Sequence, residues 1–151
     1  MSYSDEITNL LKLENIQVLD RVDSWEDGIR KSLNLLEKHG YVESRYAENI
    51  IKDTQELGPY YVLTEDIALV HARPEEGAIK KQFAVTLVHE PVVFSADSFP
   101  VRLLFALSAE DSSSHMEAIK LLAAICMDPE KVAALVNCST PEELYSMLIG
   151  K

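Results

Sequence analysis

The sequence predicts an α/β fold, in which helices flank both faces of a mixed β-sheet. Two observations predict it. Segments with apolar residues at helical spacing lie on both sides of a central block rich in β-branched and aromatic residues, and such helices must pack on the faces of the sheet. Because the chain has 151 residues, 47% of them hydrophobic, and no linker or repeat, residues 1–151 are expected to form one domain.

The first part of the chain is predicted to run helix, strand, helix, helix. Residues 5–13 fit a short amphipathic helix, and residues 16–22 lack a helical stripe and indicate a first strand. A serine N-cap and a glycine stop signal predict a helix over residues 24–40. A second serine opens another helical pattern over residues 44–58, which a Gly-Pro pair ends.

The middle of the chain is predicted to supply the other strands. Two short apolar runs cover residues 60–63 and 67–70. Stronger strand patterns cover residues 82–89 and 101–107, and the prolines at the two ends of residues 91–100 mark the loop between them. The chain then returns to helix. One helix is predicted over residues 116–127, and two more are predicted to begin at Asp128-Pro129 and Thr140-Pro141, where a capping residue precedes a proline.

The charge balance excludes some classes of partner. Lys plus Arg number 14 and Asp plus Glu number 25, so the net charge is −11, which disfavours nucleic acid and anionic lipid and attracts basic partners. No apolar run reaches the roughly 18 residues of a membrane span, and no secretory signal is visible, so a cytoplasmic protein is expected. Cys126 and Cys138 are expected to be reduced, since they form no disulfide or zinc pattern.

His71 is the first candidate functional residue. It follows an apolar strand directly, and sites in open α/β sheets form where strands end. A neutral imidazole at such a position can act as a nucleophile or general base. Arg73, two residues later, has forked donors that suit an anion. The alternative for His71 is a surface residue with no chemical role.

His115 is the second candidate, because it follows Ser112, Ser113 and Ser114 at a predicted helix start. Backbone N–H groups, the helix dipole and hydroxyl donors there favour an anion. The alternative is an ordinary capping segment. If His115 and His71 share one crevice, two imidazoles, an arginine and a helix N-terminus would suit a dianionic phosphoryl group.

The two other histidines have simpler explanations. His39 lies in the last turn of a predicted helix, where a partly cationic ring complements the dipole, and His89 ends a strand. A metal site made from His71, His89 and His115 is the competing chemistry, but their spacing matches no ligand motif, so no metal is predicted. The sequence contains no P-loop and no Gly-rich nucleotide motif, and no cofactor is expected.

One segment resembles a known family. The runs Gly58-Pro-Tyr-Tyr-Val-Leu63 and Ile67-Ala-Leu-Val-His-Ala-Arg-Pro-Glu-Glu-Gly77 resemble the active-site signature of phosphotransferase-system EIIA proteins of the mannitol/fructose superfamily. The His-Ala-Arg-Pro-Glu-Glu-Gly form is most similar to the ascorbate-type branch, and the resemblance covers nearly the whole chain. The resemblance implies a phosphocarrier that accepts a phosphoryl group from phospho-HPr and passes it to a cysteine of EIIB, for uptake of ascorbate or a related sugar acid or polyol by membrane EIIC.

The resemblance also implies residue roles. His71 matches the phosphorylated histidine, and His115 matches the second active-site histidine, which stabilises the phosphoryl group. Mannitol-type members carry an arginine at the end of the preceding helix, whereas this sequence has Thr54-Gln55-Glu56-Leu57 there. Arg73 is expected to take over that charge, with Ser112 to Ser114 as further phosphate-binding groups. No metal or cofactor is implied, and a homodimer stays open.

Two alternatives belong to other functional classes. One is a regulatory interaction module that uses the same phosphorylated histidine as a signal. The other is a non-catalytic binding domain, similar to the cytoplasmic domains of anion transporters that share this fold, which would not need His71 and His115 together.

Overall fold

The computed structural model describes residues 10–109, 116, 119–120, 122–125 and 127–149. Its centre is a five-stranded sheet. The strands are β1 (Ile16–Leu19), β2 (Val62–Thr64), β3 (Asp66–Val70), β4 (Gln82–Val92) and β5 (Val101–Ser108). Their spatial order is β1-β4-β5-β3-β2. The pairs β1/β4 and β3/β5 are parallel and the other two pairs are antiparallel, so the predicted mixed sheet is confirmed.

Four helices have both ends within the described residues: α1 (Trp25–Lys38), α2 (Arg45–Leu57), α3 (Pro129–Val136) and α4 (Pro141–Ile149). Residues 116, 119–120 and 122–125 are also helical, in the segment where a helix is predicted. Most of the helix predicted over residues 5–13 lies outside the described residues. Within the described part of the chain, no helix is both long and apolar enough to cross a membrane.

The helix ends show which of the predicted capping and stop signals form in the structure. Ser24 caps α1 as predicted, since its hydroxyl accepts a hydrogen bond from the backbone N–H of Asp27. Gly40, just past α1, has a φ of 83°, which glycine adopts without strain. Ser44 precedes α2 as predicted, but its backbone is helical and its side chain makes no capping bond.

Each face of the sheet carries its own core. In β3, Ile67 and Leu69 lie on one face, whereas Ala68 and Val70 lie on the other, which is the alternation of a strand buried on both sides. The second face packs against α1 and α2 through residues that include Ile29, Leu33, Leu36, Tyr46 and Ile50. The first face packs against α3 and α4 through Leu135, Leu144, Leu148 and their neighbours. Helices therefore cover both faces, as predicted.

Strand β4 is longer than predicted. The sequence indicates an end at His89 and a loop from Pro91, whereas the strand continues to Val92 and includes Pro91. The register explains it, because Leu87 lies opposite Leu103 but Val92 lies opposite Val101, so extra residues bulge out of the ladder. A proline is tolerated in such a bulge, where its missing N–H is not needed.

Candidate functional site

The site lies at the edge of the sheet where β3 and β5 both end. His71 comes directly after Val70, the last residue of β3, and β5 ends beside it at Ser108. The parallel pairing therefore places the end of β5 at the same edge as His71. The predicted partners that follow β5, namely His115 and Ser112 to Ser114, lie outside the described residues.

The His71 ring has a defined hydrogen-bonding state. Its Nδ1 lies 2.6 Å from the backbone carbonyl oxygen of Leu69. A carbonyl oxygen only accepts, so Nδ1 carries the proton and donates it. In the neutral ring the lone pair is then on Nε2, which makes Nε2 the nucleophilic nitrogen. His71 is only partly buried, so a reacting partner can approach the ring.

Tyr60 positions His71 from the side. Its hydroxyl donates to the backbone carbonyl of His71 at 2.6 Å, and its ring meets the imidazole edge-on, with 5.5 Å between centroids and an interplanar angle of 88°. Burial, with the negative charge of Asp53, raises the pKa of Tyr60 well above its ordinary value, so the hydroxyl stays a donor. The sequence places Tyr60 at the start of a predicted strand and within the active-site signature, but it does not indicate the contact with His71.

Tyr46 ties the His71 segment to β5. Its buried hydroxyl accepts a hydrogen bond from the backbone N–H of Ala72 at 3.0 Å and donates to the carbonyl of Leu107 at 2.8 Å. Burial raises the pKa of Tyr46 to about 12, so the hydroxyl keeps its proton. One side chain of α2 thus fixes the residue after His71 against the end of β5. In the sequence, Tyr46 is recognisable only as one member of the apolar stripe of α2.

The loop after His71 is fastened to α2. Residues 74–76 form a 3-10 turn, and the side chains of Arg45 and Asn49 donate to the carbonyls of Glu75 and Glu76, both within 2.9 Å. Gly77 closes the loop with a φ of 136°, and a Cβ there would lie 3.1 Å from the Cβ of Tyr46. A glycine is required by both the conformation and the close approach.

Arg73 makes ion pairs with carboxylates of its own loop. Its Nη2 donates to Oε1 of Glu76 at 2.9 Å, its Nε lies 3.8 Å from Oε1 of Glu75, and its side chain is 72% exposed. A role for Arg73 in binding a phosphoryl group stays a prediction. Near the end of α2, Thr54 shares a buried hydrogen bond of 2.8 Å with the hydroxyl of Tyr61.

A second carboxyl group faces Glu76. Burial raises the pKa of Asp53, and the neighbouring Glu76 carboxylate raises it further. For Glu76, burial acts upward, but the Arg73 guanidinium and the neighbouring Asp53 outweigh it, and its pKa is lowered. Of the two acids, Asp53 is therefore the one that takes up a proton more readily. The sequence contains no local signal for this pair, since 23 residues separate the two acids.

The other two described histidines lie elsewhere. Val70 of β3 and Ala84 of β4 both lie opposite Ala106 of β5. Because β3 runs parallel to β5 and β4 runs antiparallel to it, His71 lies one residue past Ala106 toward the end of β5, and His89 lies five residues past it toward the start of β5. At about 3.3 Å per residue they are roughly 20 Å apart, too far to share a metal ion. His89 is held by the carbonyl of Cys138, at 2.9 Å. His39 ends α1, and its Nδ1 lies 2.7 Å from Oδ1 of Asn15.

A cavity of about 390 Å³ lies at the opposite edge of the sheet, between α3 and the start of β3 and β5. Its wall contains Asp66 and Arg102, which form a two-point ion pair at 2.8 and 2.9 Å. Within the described residues, no group of three or more His, Cys, Asp or Glu side chains is arranged to hold a metal ion.

Comparison with known proteins gives one consistent result. The family described as "Phosphoenolpyruvate-dependent sugar phosphotransferase system, EIIA 2" matches residues 9–151. The mannitol-specific cryptic phosphotransferase enzyme IIA component of Escherichia coli K12 is 33% identical, over 89% of this chain and 91% of that protein. The ascorbate-specific PTS system EIIA component of Shigella boydii is 30% identical, over 93% of this chain and 92% of that protein.

Solved structures agree with the sequence relatives. A chain from the complex of enzyme IIA-Mtl with phosphorylated enzyme IIB-Mtl of Escherichia coli matches with a TM-score of 0.80 at 27% identity. The match covers 94% of this chain and 100% of that chain.

Proposed function

The chain belongs to the EIIA 2 family of the phosphoenolpyruvate-dependent sugar phosphotransferase system, and we propose that it carries the phosphoryl group on Nε2 of His71. As a member of this family, the chain is a phosphotransferase component. What we propose is the residue, His71, and the atom, Nε2, that carry the phosphoryl group. The observation that supports them is the hydrogen bond from Nδ1 of His71 to the Leu69 carbonyl, which leaves the nucleophilic lone pair on Nε2.

The proposed transfer needs little covalent apparatus. Nε2 attacks the phosphorus of phospho-HPr, a P–Nε2 bond forms, and the N–P bond of the donor breaks with its electron pair returning to the HPr imidazole. The Nδ1 proton stays on His71, so the phosphorylated ring is an imidazolium whose N–H the Leu69 carbonyl holds. That ring is a good leaving group, which favours onward transfer.

Onward transfer reverses these bonds. A cysteine thiolate of EIIB attacks the phosphorus, and the P–Nε2 bond breaks with its electron pair returning to Nε2, which restores the neutral ring. The complex of a similar enzyme IIA with phosphorylated enzyme IIB supports EIIB as the partner. Membrane EIIC is an indirect partner, and a chain with these partners works in the cytoplasm as one phosphocarrier domain.

Other residues are proposed to bind the phosphoryl group. His115 donates a hydrogen bond to its oxygens, and Ser112, Ser113 and Ser114 supply hydroxyl and backbone donors. The parallel β3/β5 pair supports this, because β5, which precedes these residues in the chain, ends at the His71 edge. Arg73 supplies positive charge. Positioning and charge are sufficient for transfer between two nucleophiles, so this scheme requires no metal or cofactor.

We assign ascorbate, or a related sugar acid or polyol, as the transported class. The His-Ala-Arg-Pro-Glu-Glu-Gly run and the ascorbate-specific relative support it. The mannitol-specific relative has slightly higher identity, so the test includes EIIB proteins of both kinds. Faster transfer to the ascorbate-type EIIB is expected, and faster transfer to the mannitol-type EIIB would overturn ascorbate in favour of a polyol and leave the carrier function intact.

The carrier assignment is tested by incubating the protein with enzyme I, HPr and ³²P-labelled phosphoenolpyruvate. We expect an acid-labile label on the wild type and on His89→Ala, the matched control at the other edge of the sheet, and none on His71→Ala. An unlabelled wild type would overturn the function, and a labelled His71→Ala would overturn the site. A label that no EIIB accepts would indicate a regulator instead of a carrier.

A further inference from the structure

We propose that Glu76 is a latch for Arg73. In the unphosphorylated protein Glu76 holds the Arg73 guanidinium on the loop, and it gives up that guanidinium to the phosphoryl group once His71 is phosphorylated. This inference rests on the proposed function, because it requires a phosphoryl group on His71. Glu76 is then a positioning residue that acts through Arg73.

The contacts of Arg73 favour exchange. The guanidinium makes one short bond, 2.9 Å to Oε1 of Glu76, and a longer contact of 3.8 Å to Glu75. The Arg73 side chain is 72% exposed, so packing does not hold it in place. Because the guanidinium lies mostly in solvent, a second anion can compete for the same donors.

A phosphoryl group on His71 is the anion within reach. The Cα atoms of His71 and Arg73 are two residues apart, and two residues of extended chain span at most about 7 Å. An arginine side chain has a similar length, so the guanidinium can reach His71 without a change in the fold. A dianionic phosphoryl group offers forked, charge-assisted bonds, whereas Glu76 offers a single short one.

A neighbouring acid can stabilise the Glu76 carboxylate once Arg73 has moved to the phosphoryl group. The Glu76 side chain is only 13% exposed, and its Oε2 is buried without a hydrogen-bond partner in the part of the chain that the structure describes. An unpaired carboxylate there would be costly. Asp53 faces it, and the pKa of Asp53 is raised by burial and by Glu76, so Asp53 can hold a proton and donate it to Glu76.

The latch lowers the affinity of the site for the phosphoryl group. Every bond that Arg73 makes to the phosphoryl group is offset by the bond to Glu76 that it loses. A carrier must give up the group to the next protein, so a site that binds it less tightly passes it on more readily.

The test compares Glu76→Gln in two backgrounds. With Arg73 present, Glu76→Gln releases the arginine, and we expect the phosphohistidine to hydrolyse about fivefold more slowly and its equilibrium with phospho-HPr to shift toward this chain. In an Arg73→Ala background the same substitution should change neither quantity. Glu75→Gln is the matched control, since it removes the same charge from the adjacent, more distant carboxylate, and it should change the lifetime by less than about twofold.

The outcomes separate the latch from the function it rests on. An unchanged lifetime in Glu76→Gln, or an equal change with and without Arg73, would overturn the latch and leave His71 as the carrier. If the wild type takes up no label, the proposed function itself fails. If Glu76→Gln does not fold, NMR of the Arg73 guanidinium in the wild-type protein tests the latch instead. Its resonances should shift on phosphorylation, and unchanged resonances would rule out the latch.

Discussion

The two edges of the sheet each carry an arginine–carboxylate pair, and the pairs are built differently. At the far edge, Arg102 and Asp66 join two neighbouring strands through two bonds of 2.8 and 2.9 Å, with side chains 32% and 17% exposed. At the His71 edge, Arg73 and Glu76 lie on one short loop and share one short bond.

The difference shows which pair supports the fold and which can move. Asp66 has a φ of 72°, the one positive φ outside glycine among the residues described, and its carboxylate is fixed by Arg102. Such a backbone persists only where its surroundings hold it. The Arg73 guanidinium has no comparable support, since it is 72% exposed. We therefore expect substitutions at the far edge to change stability and substitutions at the His71 edge to change phosphoryl transfer.

The largest expected effect is on stability, at the far edge. Arg102→Ala leaves the Asp66 carboxylate unpaired and mostly buried, and should lower the free energy of unfolding by about 2 kcal/mol, a value reduced for its partial exposure. Urea denaturation measures it. Arg30→Ala is the control, because it breaks a pair whose members are 53% and 58% exposed and should have no measurable effect. Slower labelling of Arg102→Ala by phospho-HPr would contradict the division between the edges.

The next effect is on the rate of phosphorylation, at the His71 edge. Arg73→Ala removes the cation nearest in sequence to His71, and should slow labelling by phospho-HPr about tenfold. The melting temperature should fall less than in Arg102→Ala, because the Arg73 guanidinium supports no packing and the neighbouring Asp53, whose pKa is raised, can take up a proton beside the Glu76 carboxylate that loses its partner. Rapid-quench labelling and calorimetry measure the two quantities. A large loss of stability with normal labelling would show that Arg73 is structural.

A smaller effect on rate is expected for Tyr60→Phe. The substitution keeps the ring that contacts His71 but removes the hydroxyl bonded to the His71 carbonyl, and should slow labelling about threefold. Tyr61→Phe is the matched control, since that hydroxyl bonds to Thr54 away from the imidazole. Tyr61→Phe should lower stability and leave the rate unchanged, and equal rate effects in both variants would contradict a positioning role for Tyr60.

The smallest effect is expected for Asp53→Asn. The pKa of Asp53 is raised in the fold by burial and by Glu76, so its ionised form costs stability at neutral pH. Asparagine keeps a donor toward Glu76 without the charge, and should raise the free energy of unfolding at pH 7 by less than about 1 kcal/mol. This gain should vanish as the pH falls below 3.8, the ordinary pKa of Asp53, since Asp53 is then protonated in both states. Denaturation at several pH values measures it, and a pH-independent gain would contradict the raised pKa of Asp53.

The same contrast explains what the sequence can predict. Helix α1 follows from Ser24 and Gly40, because caps and stop signals act over a few residues. The position of His71 follows from the apolar run before it, because a strand buried on both faces is apolar throughout. Strand β4 was predicted too short, because its bulge depends on pairing with β5.

Other parts of the site depend on contacts between distant residues. Tyr46 and Leu107 are 61 residues apart, and their hydrogen bond exists only because α2 packs beside the end of β5. In the sequence, Glu76 is one of several acidic loop residues, and only the fold shows that Asp53 lies next to it. Arg73 could be named from the sequence, but its ion pair with Glu76 depends on the 3-10 turn of residues 74–76.

Nε2 of His71 is the atom on which the proposed phosphoryl transfer depends. The most direct test is NMR of ¹⁵N-histidine-labelled protein after phosphorylation by enzyme I, HPr and phosphoenolpyruvate. We predict that His71 alone gains a phosphoryl group, that phosphorus couples to Nε2, and that Nδ1 keeps its proton on the Leu69 carbonyl. Coupling to Nδ1, or a phosphoryl group on another residue, would contradict the account.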